Sequence, residues 1–427
     1  MILLFITLIL SSDTPDTLTL EQAYDLAHER FPLENEIEHQ ERIHDLNIRN
    51  LDAGWLPGIS LSGLAQYQSD VTEIDMDFPG TPNGVDFPSQ PRDRYQLALD
   101  LEQRLYDGGR TGSQKELEHR RSERAKQEVR VRQHELRDRI NEAWFAIHTL
   151  RAQQKALEVS QADLDQRLVE VDSRIEHGVL PESARDAIRA EKLRLHQQRR
   201  RLMAGERAAM AVLSELLVTR LPDDIVLKLP EVPDQLPEPQ FSSRPEAALF
   251  EAHRAVLAGR EEMVTATYRP TVAAFGQAAY GRPGLNLFED DFQPWFVLGV
   301  RARWSVWNWR TDHRERRILH LNRQIVDNEE QVFQQNMTMA LQEDIRQIAE
   351  LREIIREDEE IIALHERIVS DAASRLENGT ITASEYIREL GNRRRAEINR
   401  EQHRIELAKY WQNYIIKTGN QNHGKDH

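Results

Sequence analysis

The sequence predicts a mostly α-helical protein with a four-strand β section, built as two copies of one strand-strand, long-helix, short-helix plan. Three observations carry that expectation. Landmarks repeat at one offset: Leu105-Tyr106-Asp107 with Val306-Trp307-Asn308, and His177-Gly178-Val179-Leu180 with Asn378-Gly379-Thr380-Ile381, each pair 201 residues apart. Between these landmarks apolar residues recur at steps of three and four, and ahead of them apolar and polar residues alternate singly.

The 427 residues are 30% charged and 7% aromatic. Such a chain suits long exposed helices with a narrow apolar seam, not a large globular core. Its formal charge of −16 argues against a nucleic-acid partner, because phosphate backbones are held by surplus Lys and Arg. The Arg393-Arg394-Arg395 run reads as a solvated helix face. With no cysteine, disulfides, thiolate metal sites, thiol nucleophiles and a lipid attached through Cys are excluded.

Met1 to Leu10, MILLFITLIL, is too short for a bilayer, which needs about 20 residues. Residues 1–12 read instead as a signal peptide, with Ser11 and Ser12 as small residues at its end and no Lys or Arg ahead of it. No later segment has transmembrane-helix length, so any membrane span must be made of strands.

The first copy covers 18–217. Thr19 and Gln22 have capping-box spacing and open a short helix that runs to about 53, before Leu56-Pro57. Strands follow over 58–69 and 93–106, then a long helix over 110–176. Its seam is Leu136, Ile140, Ala143, Ile147, Leu150, Leu157, Leu164, Leu168, Val171 and Ile175, a heptad pattern typical of supercoiling helices. Gly178 ends it, since glycine suits the left-handed closing position, and a return helix spans 182–217.

A Pro-rich linker, 218–242, leads to the second copy at 243–418. Ser243 and Glu246 have capping-box spacing, and Arg269-Pro270 ends the short helix. Strands over 270–281 and 293–307 precede a long helix over 310–377, with its seam at Met337, Leu341, Ile348, Leu351, Ile355, Ile362, Val369, Ala372 and Leu376. The return helix is 383–418 and a polar tail occupies 419–427. A long helix of this size extends roughly 100 Å, beyond any compact domain.

Each strand carries one apolar and one polar face. Ile59, Leu61, Ala65 and Tyr67 share a face; so do Tyr95, Leu97, Leu99 and Leu101, opposed to Gln96, Asp100 and Glu102. Phe296, Leu298, Val300, Ala302, Trp304 and Val306 oppose Arg301, Arg303 and Ser305. Val272 to Tyr280 is assigned as a strand mainly by its place in the repeat. With strands running up and down, Tyr67, Tyr95, Tyr280 and Trp295 collect at one end. Trp55, Tyr106, Tyr268, Trp304, Trp307 and Trp309 collect at the other. Two aromatic girdles around an apolar band are what a membrane barrel requires. Four strands cannot close one, and lipid forbids an open edge, so the sheet must be completed by other copies. The segments Val71–Arg92 and Arg282–Gln293 read as exposed loops.

These residues resemble the TolC-like outer-membrane efflux factors. The resemblance lies in Leu18-Thr19-Leu20-Glu21-Gln22-Ala23, Ala53-Gly54-Trp55-Leu56-Pro57 and Leu105-Tyr106-Asp107-Gly108-Gly109-Arg110. Tyr280-Gly281-Arg282-Pro283-Gly284-Leu285-Asn286 and Trp304-Ser305-Val306-Trp307-Asn308-Trp309 extend it, in order, over nearly all of 18–418. It implies a homotrimer with a twelve-strand barrel in outer-membrane lipid, a periplasmic tube of twelve helical columns, a periplasmic adapter and an inner-membrane pump. The adapter would meet the helix tips at Arg174, Gly178, Val179 and Leu180, and at Arg375, Gly379, Thr380 and Ile381. An acidic pore constriction just past the second glycine would fall at Glu385, although Arg388, Pro181 and Ala184 depart from the family's pattern.

No phosphate loop, His-Glu-x-x-His or Gly-x-Ser-x-Gly motif is present, and the histidines are scattered, with His423 and His427 in the tail. No catalytic residue, cofactor or metal is expected. The run Glu357-Asp358-Glu359-Glu360 is expected to face water or a lumen, favouring cationic solutes. Two other readings stay open: a soluble coiled-coil scaffold, and a periplasmic adapter, which carries one hairpin set rather than two.

Overall fold

The computed structural model describes residues 17–71, 90–222, 224–286 and 289–419. The expected signal peptide, most of the first strand-to-strand loop and the tail after residue 419 lie outside the described residues. In chain order the elements are β1 (Thr17–Leu18), α1 (Leu20–Arg30), α2 (Leu33–Ala53), β2 (Gly58–Tyr67), β3 (Asp93–Tyr106), α3 (Arg110–Glu176) and α4 (Glu182–Leu216). There follow β4 (Val226–Leu227), α5 (Pro245–Thr267), β5 (Thr271–Arg282), β6 (Gln293–Arg303), α6 (Thr311–Glu377) and α7 (Ala383–Thr418). Helices α3 and α6 each hold 67 residues. The plan is thus duplicated.

Four local expectations change. The first short helix breaks at Phe31, which is extended at φ −69 and ψ 139, because the residue before Pro32 is pushed out of the helical region. Strand β6 stops at Arg303, paired with Thr271 at the very start of β5. Pro270 precedes that start and has no amide to donate, so the ladder ends there, short of residue 307. Thr19 and Gln22 do form a capping box, whereas α5 begins at Pro245 and the Ser243 side chain turns to other partners. Its hydroxyl donates to the Gln240 carbonyl at 2.7 Å and the Gly419 carbonyl at 2.9 Å, while Arg244 holds Glu246 at 2.5 Å. The 218–242 segment also contains a strand, since β4 pairs in parallel with β1.

Two compact units emerge. One contains the residues up to Ile37, Gln127–Leu249 and those from Glu329 on; the other contains Glu38–Lys126 and Phe250–Asn328. The first unit buries the seam positions. Leu136, Ile140, Ala143 and Ile147 of α3 pack with Leu18, Leu20, Tyr24, Leu213 and Leu217 around Trp144, which is fully buried. Nearer the helix tips, Leu157, Leu164 and Val171 meet Ile188 and Leu195 of α4, Val369 and Leu376 of α6, and Tyr386 and Leu390 of α7. The heptad seam places one apolar residue per turn on these contacts, and its burial is what holds long polar helices side by side.

His148 lies beside Trp144, ring centroids 6.0 Å apart, and its Nε2 has no hydrogen-bond partner among the described residues. Burial, helped by the Arg151 charge, pushes its pKa down to about 4. An unfolded histidine takes its proton near about 6.5, so the folded state should lose stability as the pH falls from there toward 4. His148→Gln should remove part of that loss, seen as a smaller drop in Tm between pH 7 and pH 4.5. An unchanged drop would show that this side chain does not contribute.

The second unit carries a four-stranded antiparallel sheet in the order β2-β3-β5-β6. The second copy's strands are thus added directly to the first copy's, leaving β2 and β6 as free edges. Leu257 of α5 packs with Leu319 and Val326 of α6 in a small core of the same unit.

Candidate functional site

Both helix tips close by the same geometry. At the first, the Gly178 amide donates to the Ile175 carbonyl at 2.9 Å and the Val179 amide to the Arg174 carbonyl at 2.9 Å. At the second, Gly379 donates to Leu376 at 3.0 Å and Thr380 to Arg375 at 2.9 Å. These are Schellman turns, and they require the left-handed backbone seen at Gly178 (φ 73) and Gly379 (φ 68). Arg174 and Arg375 therefore serve the turns through their carbonyls, which leaves both side chains exposed. Val179 is also exposed, Leu180 and Ile381 tuck against the four-helix core, and the Thr380 hydroxyl donates to the Arg375 carbonyl at 2.9 Å. The tips stand side by side: a Cβ on Gly379 would lie 3.8 Å from a methyl of Val179.

Glu385 has a local partner. Its carboxylate accepts from the Thr382 amide at 2.8 Å and hydroxyl at 3.0 Å, forming the capping box of α7. The Thr382 amide, then its hydroxyl, hold this carboxyl below the usual carboxylate range, so it stays ionised and exposed at the tip. Arg388 turns to Glu389 at 3.0 Å.

Charged pairs bind the hairpins together. Arg167 of α3 reaches Glu377 of α6 at 2.8 Å and stacks over Tyr386 of α7. The Arg393-Arg394-Arg395 face is only partly solvated: Arg393 pairs with Asp163 of α3, and the buried Arg394 with Glu191 of α4 at 3.5 Å. Only Arg395 is exposed. Within the acid run, Asp358 is likewise buried and accepts from His403 of α7 at 2.6 Å, leaving Glu357, Glu359 and Glu360 exposed.

The strand register fixes which side chain lies on which sheet face. Leu61 pairs with Leu99, Leu99 with Ala278 and Ala278 with Phe296, so these four form one row of the apolar face. Ser60, Asp100, Gln277 and Val297 form a row of the other face, where Asp100 accepts from Ser62 at 2.9 Å and Gln277 at 2.6 Å. The apolar row is open to solvent: Leu61 is 69% exposed, Leu99 49% and Phe296 72%.

Tyr67, Tyr95 and Tyr280 lie at one end of the apolar face. Trp295 does not join them, because it pairs with Ala279, one residue out of phase with Phe296, and so belongs to the polar face. Phe292 takes its place, stacked on Tyr95 with centroids 6.4 Å apart and on Tyr280 at 5.7 Å. It was legible, since 292, 296 and 298 share one parity. At the other end the register skips Leu105 and pairs Tyr106 with Val272, which turns the tyrosine onto the apolar face by a bulge. Trp304 and Trp307 are exposed beyond β6, Trp55 precedes β2, and the Tyr268 hydroxyl meets that of Thr311 at 3.0 Å. Among the described residues no helix is long and apolar enough to cross a membrane.

Residues 24–213 match the family model of the outer membrane efflux proteins. No curated relative matches the chain. The fold is shared, over 94% of the chain, with solved structures of outer-membrane channels and proteins. The outer-membrane channel OprN superposes with a TM-score of 0.68 at 16% identity, covering 94% of this chain and 89% of the other. The outer membrane channel CmeC of Campylobacter jejuni gives 0.64 at 12%, covering 94% and 85%. The outer membrane protein VceC of Vibrio cholerae gives 0.61 at 12%, covering 94% and 96%. At such identities the likeness is one of fold, and it spans both copies of the plan.

Proposed function

We propose that the chain is one protomer of a homotrimeric channel in the outer membrane, with its strands in lipid and its helices forming a periplasmic tube. It conducts solutes passively to the exterior from a periplasmic adapter and an inner-membrane pump, and performs no catalysis. The observation that carries this reading is the sheet: one face is lined with exposed Leu, Phe and Tyr, the other is polar, and both edges are unpaired. In water such a face and such edges are an aggregation hazard, whereas in lipid three copies joined edge to edge satisfy both. A soluble scaffold or adapter has no use for that face.

Within this reading Arg174, Gly178, Val179 and Leu180, with Arg375, Gly379, Thr380 and Ile381, form the adapter-docking tips. Glu385 lines the constriction while capping α7. The girdles are Tyr67, Tyr95, Tyr280 and Phe292 at one interface and Trp55, Tyr106, Tyr268, Trp304 and Trp307 at the other. Size-exclusion chromatography with light scattering on detergent-extracted protein should find a trimer. A stable monomer, or a full-length chain soluble without detergent, would refute the reading.

A further inference from the structure

The polar face of the sheet is not uniformly charged. Its two rows nearest the helices are Arg104–Ala273–Arg301 and Thr271–Arg303, so three arginines from β3 and β6 gather there with no acid among them. All three are exposed, and none pairs with an acid within salt-bridge distance among the described residues. Arg301 is held in place, its guanidinium 4.8 Å from the Phe275 ring centre, while that ring fills the space where a side chain on Gly299 would be. Asp107, just past β3, is buried and accepts from the Gly109 amide at 2.9 Å and the Thr111 amide at 2.7 Å; Arg104, which donates to the Thr111 hydroxyl at 3.5 Å, adds its charge to what keeps this carboxyl ionised, so Arg301 and Arg303 are the freer pair. The acids of this face stand one and two rows further along, at Glu102 and Asp100. Asp100 is there engaged by Ser62 and Gln277.

We propose that Arg104, Arg301 and Arg303 form a cationic belt at the helix-side mouth of the barrel, and that the belt gives this channel a preference for anionic solutes such as carboxylates and phosphates. The inference rests on the barrel reading above, in which the polar face lines the pore. Closure by three copies repeats the trio around the lumen, where the protein walls keep the charges from being screened as they would be on an open surface. A guanidinium does not titrate at any working pH, so the belt stays charged throughout. It acts against the chain's overall charge of −16, which by itself points to cationic cargo.

The test is the reversal potential of purified trimers in planar bilayers under a potassium chloride gradient at low salt, where charges act over about 30 Å. R301Q/R303Q should lower the anion-to-cation permeability ratio by about twofold or more relative to the unmodified channel, and R301K/R303K should keep it. The difference should collapse near about 1 M salt, where the screening length is about 3 Å. R303Q alone, at an exposed side chain, should shift the ratio in the same direction and guards against misfolding of the double variant. Conducting channels with an unchanged ratio overturn the belt and leave the channel standing. Trimers with no conductance overturn the channel reading, and the belt with it.

Discussion

Leu99→Arg should abolish assembly in the outer membrane, while Ser60→Arg, on the adjacent strand, should leave it intact. Leu99 sits near the middle of β3 on the apolar face, in a row with Leu61, Ala278 and Phe296. An arginine near the bilayer midplane of a barrel costs about 2–4 kcal/mol, and a trimer incurs it three times, about 6–12 kcal/mol in all. That is comparable to the whole stability of an ordinary domain. Ser60 faces the other way and pairs directly with Asp100, so an arginine there meets water and a carboxylate. Trimer recovered from the outer-membrane fraction, quantified by light scattering, separates the cases. In a water-exposed sheet both changes would be surface substitutions within about 0.5 kcal/mol. Equal recovery of the two variants would therefore exclude lipid contact for this face.

The parts of the fold that were legible in advance are those imposed by one period along one segment. Helices α3 and α6 follow a heptad because 3.6 residues per turn force apolar groups to recur on that step, and the 201-residue offset made one helix check the other. What escaped depends on pairing between segments. Height along the strand places Trp295 in a girdle, yet its face is set by the register with Ala279. The bulge at Leu105 re-aims Tyr106 for the same kind of reason, and a one-residue slip reverses every side chain. The β1–β4 pair joins two-residue strands too short to carry any period. Arg104 becomes a neighbour of Arg301 only because β5 lies between β3 and β6. The break at Phe31 is different: Pro32 marked it, and the run of helix-forming residues on either side obscured it.

At the tips the same reasoning leads to export. Gly178 and Gly379 sit at φ 73 and φ 68, where a β-branched residue is strained by roughly 1–2 kcal/mol. The obstacle at Gly178 is conformational rather than spatial, since nothing lies within 4 Å of an added Cβ. Gly178→Val therefore disfavours the turn that aims Val179 and Leu180, without touching the buried contacts of Leu157, Leu164 and Val171 that hold α3 in its bundle. Trimers should form in normal amounts while efflux falls several-fold, and Gly379→Val should act alike. Because Asn tolerates the left-handed region better than Ala, and Ala better than Val, the loss at Gly178 should grow in the order Asn, Ala, Val. An adapter that reads the tip's backbone path produces that graded order at constant trimer level. Full efflux in both Val variants would show that nothing docks on these turns.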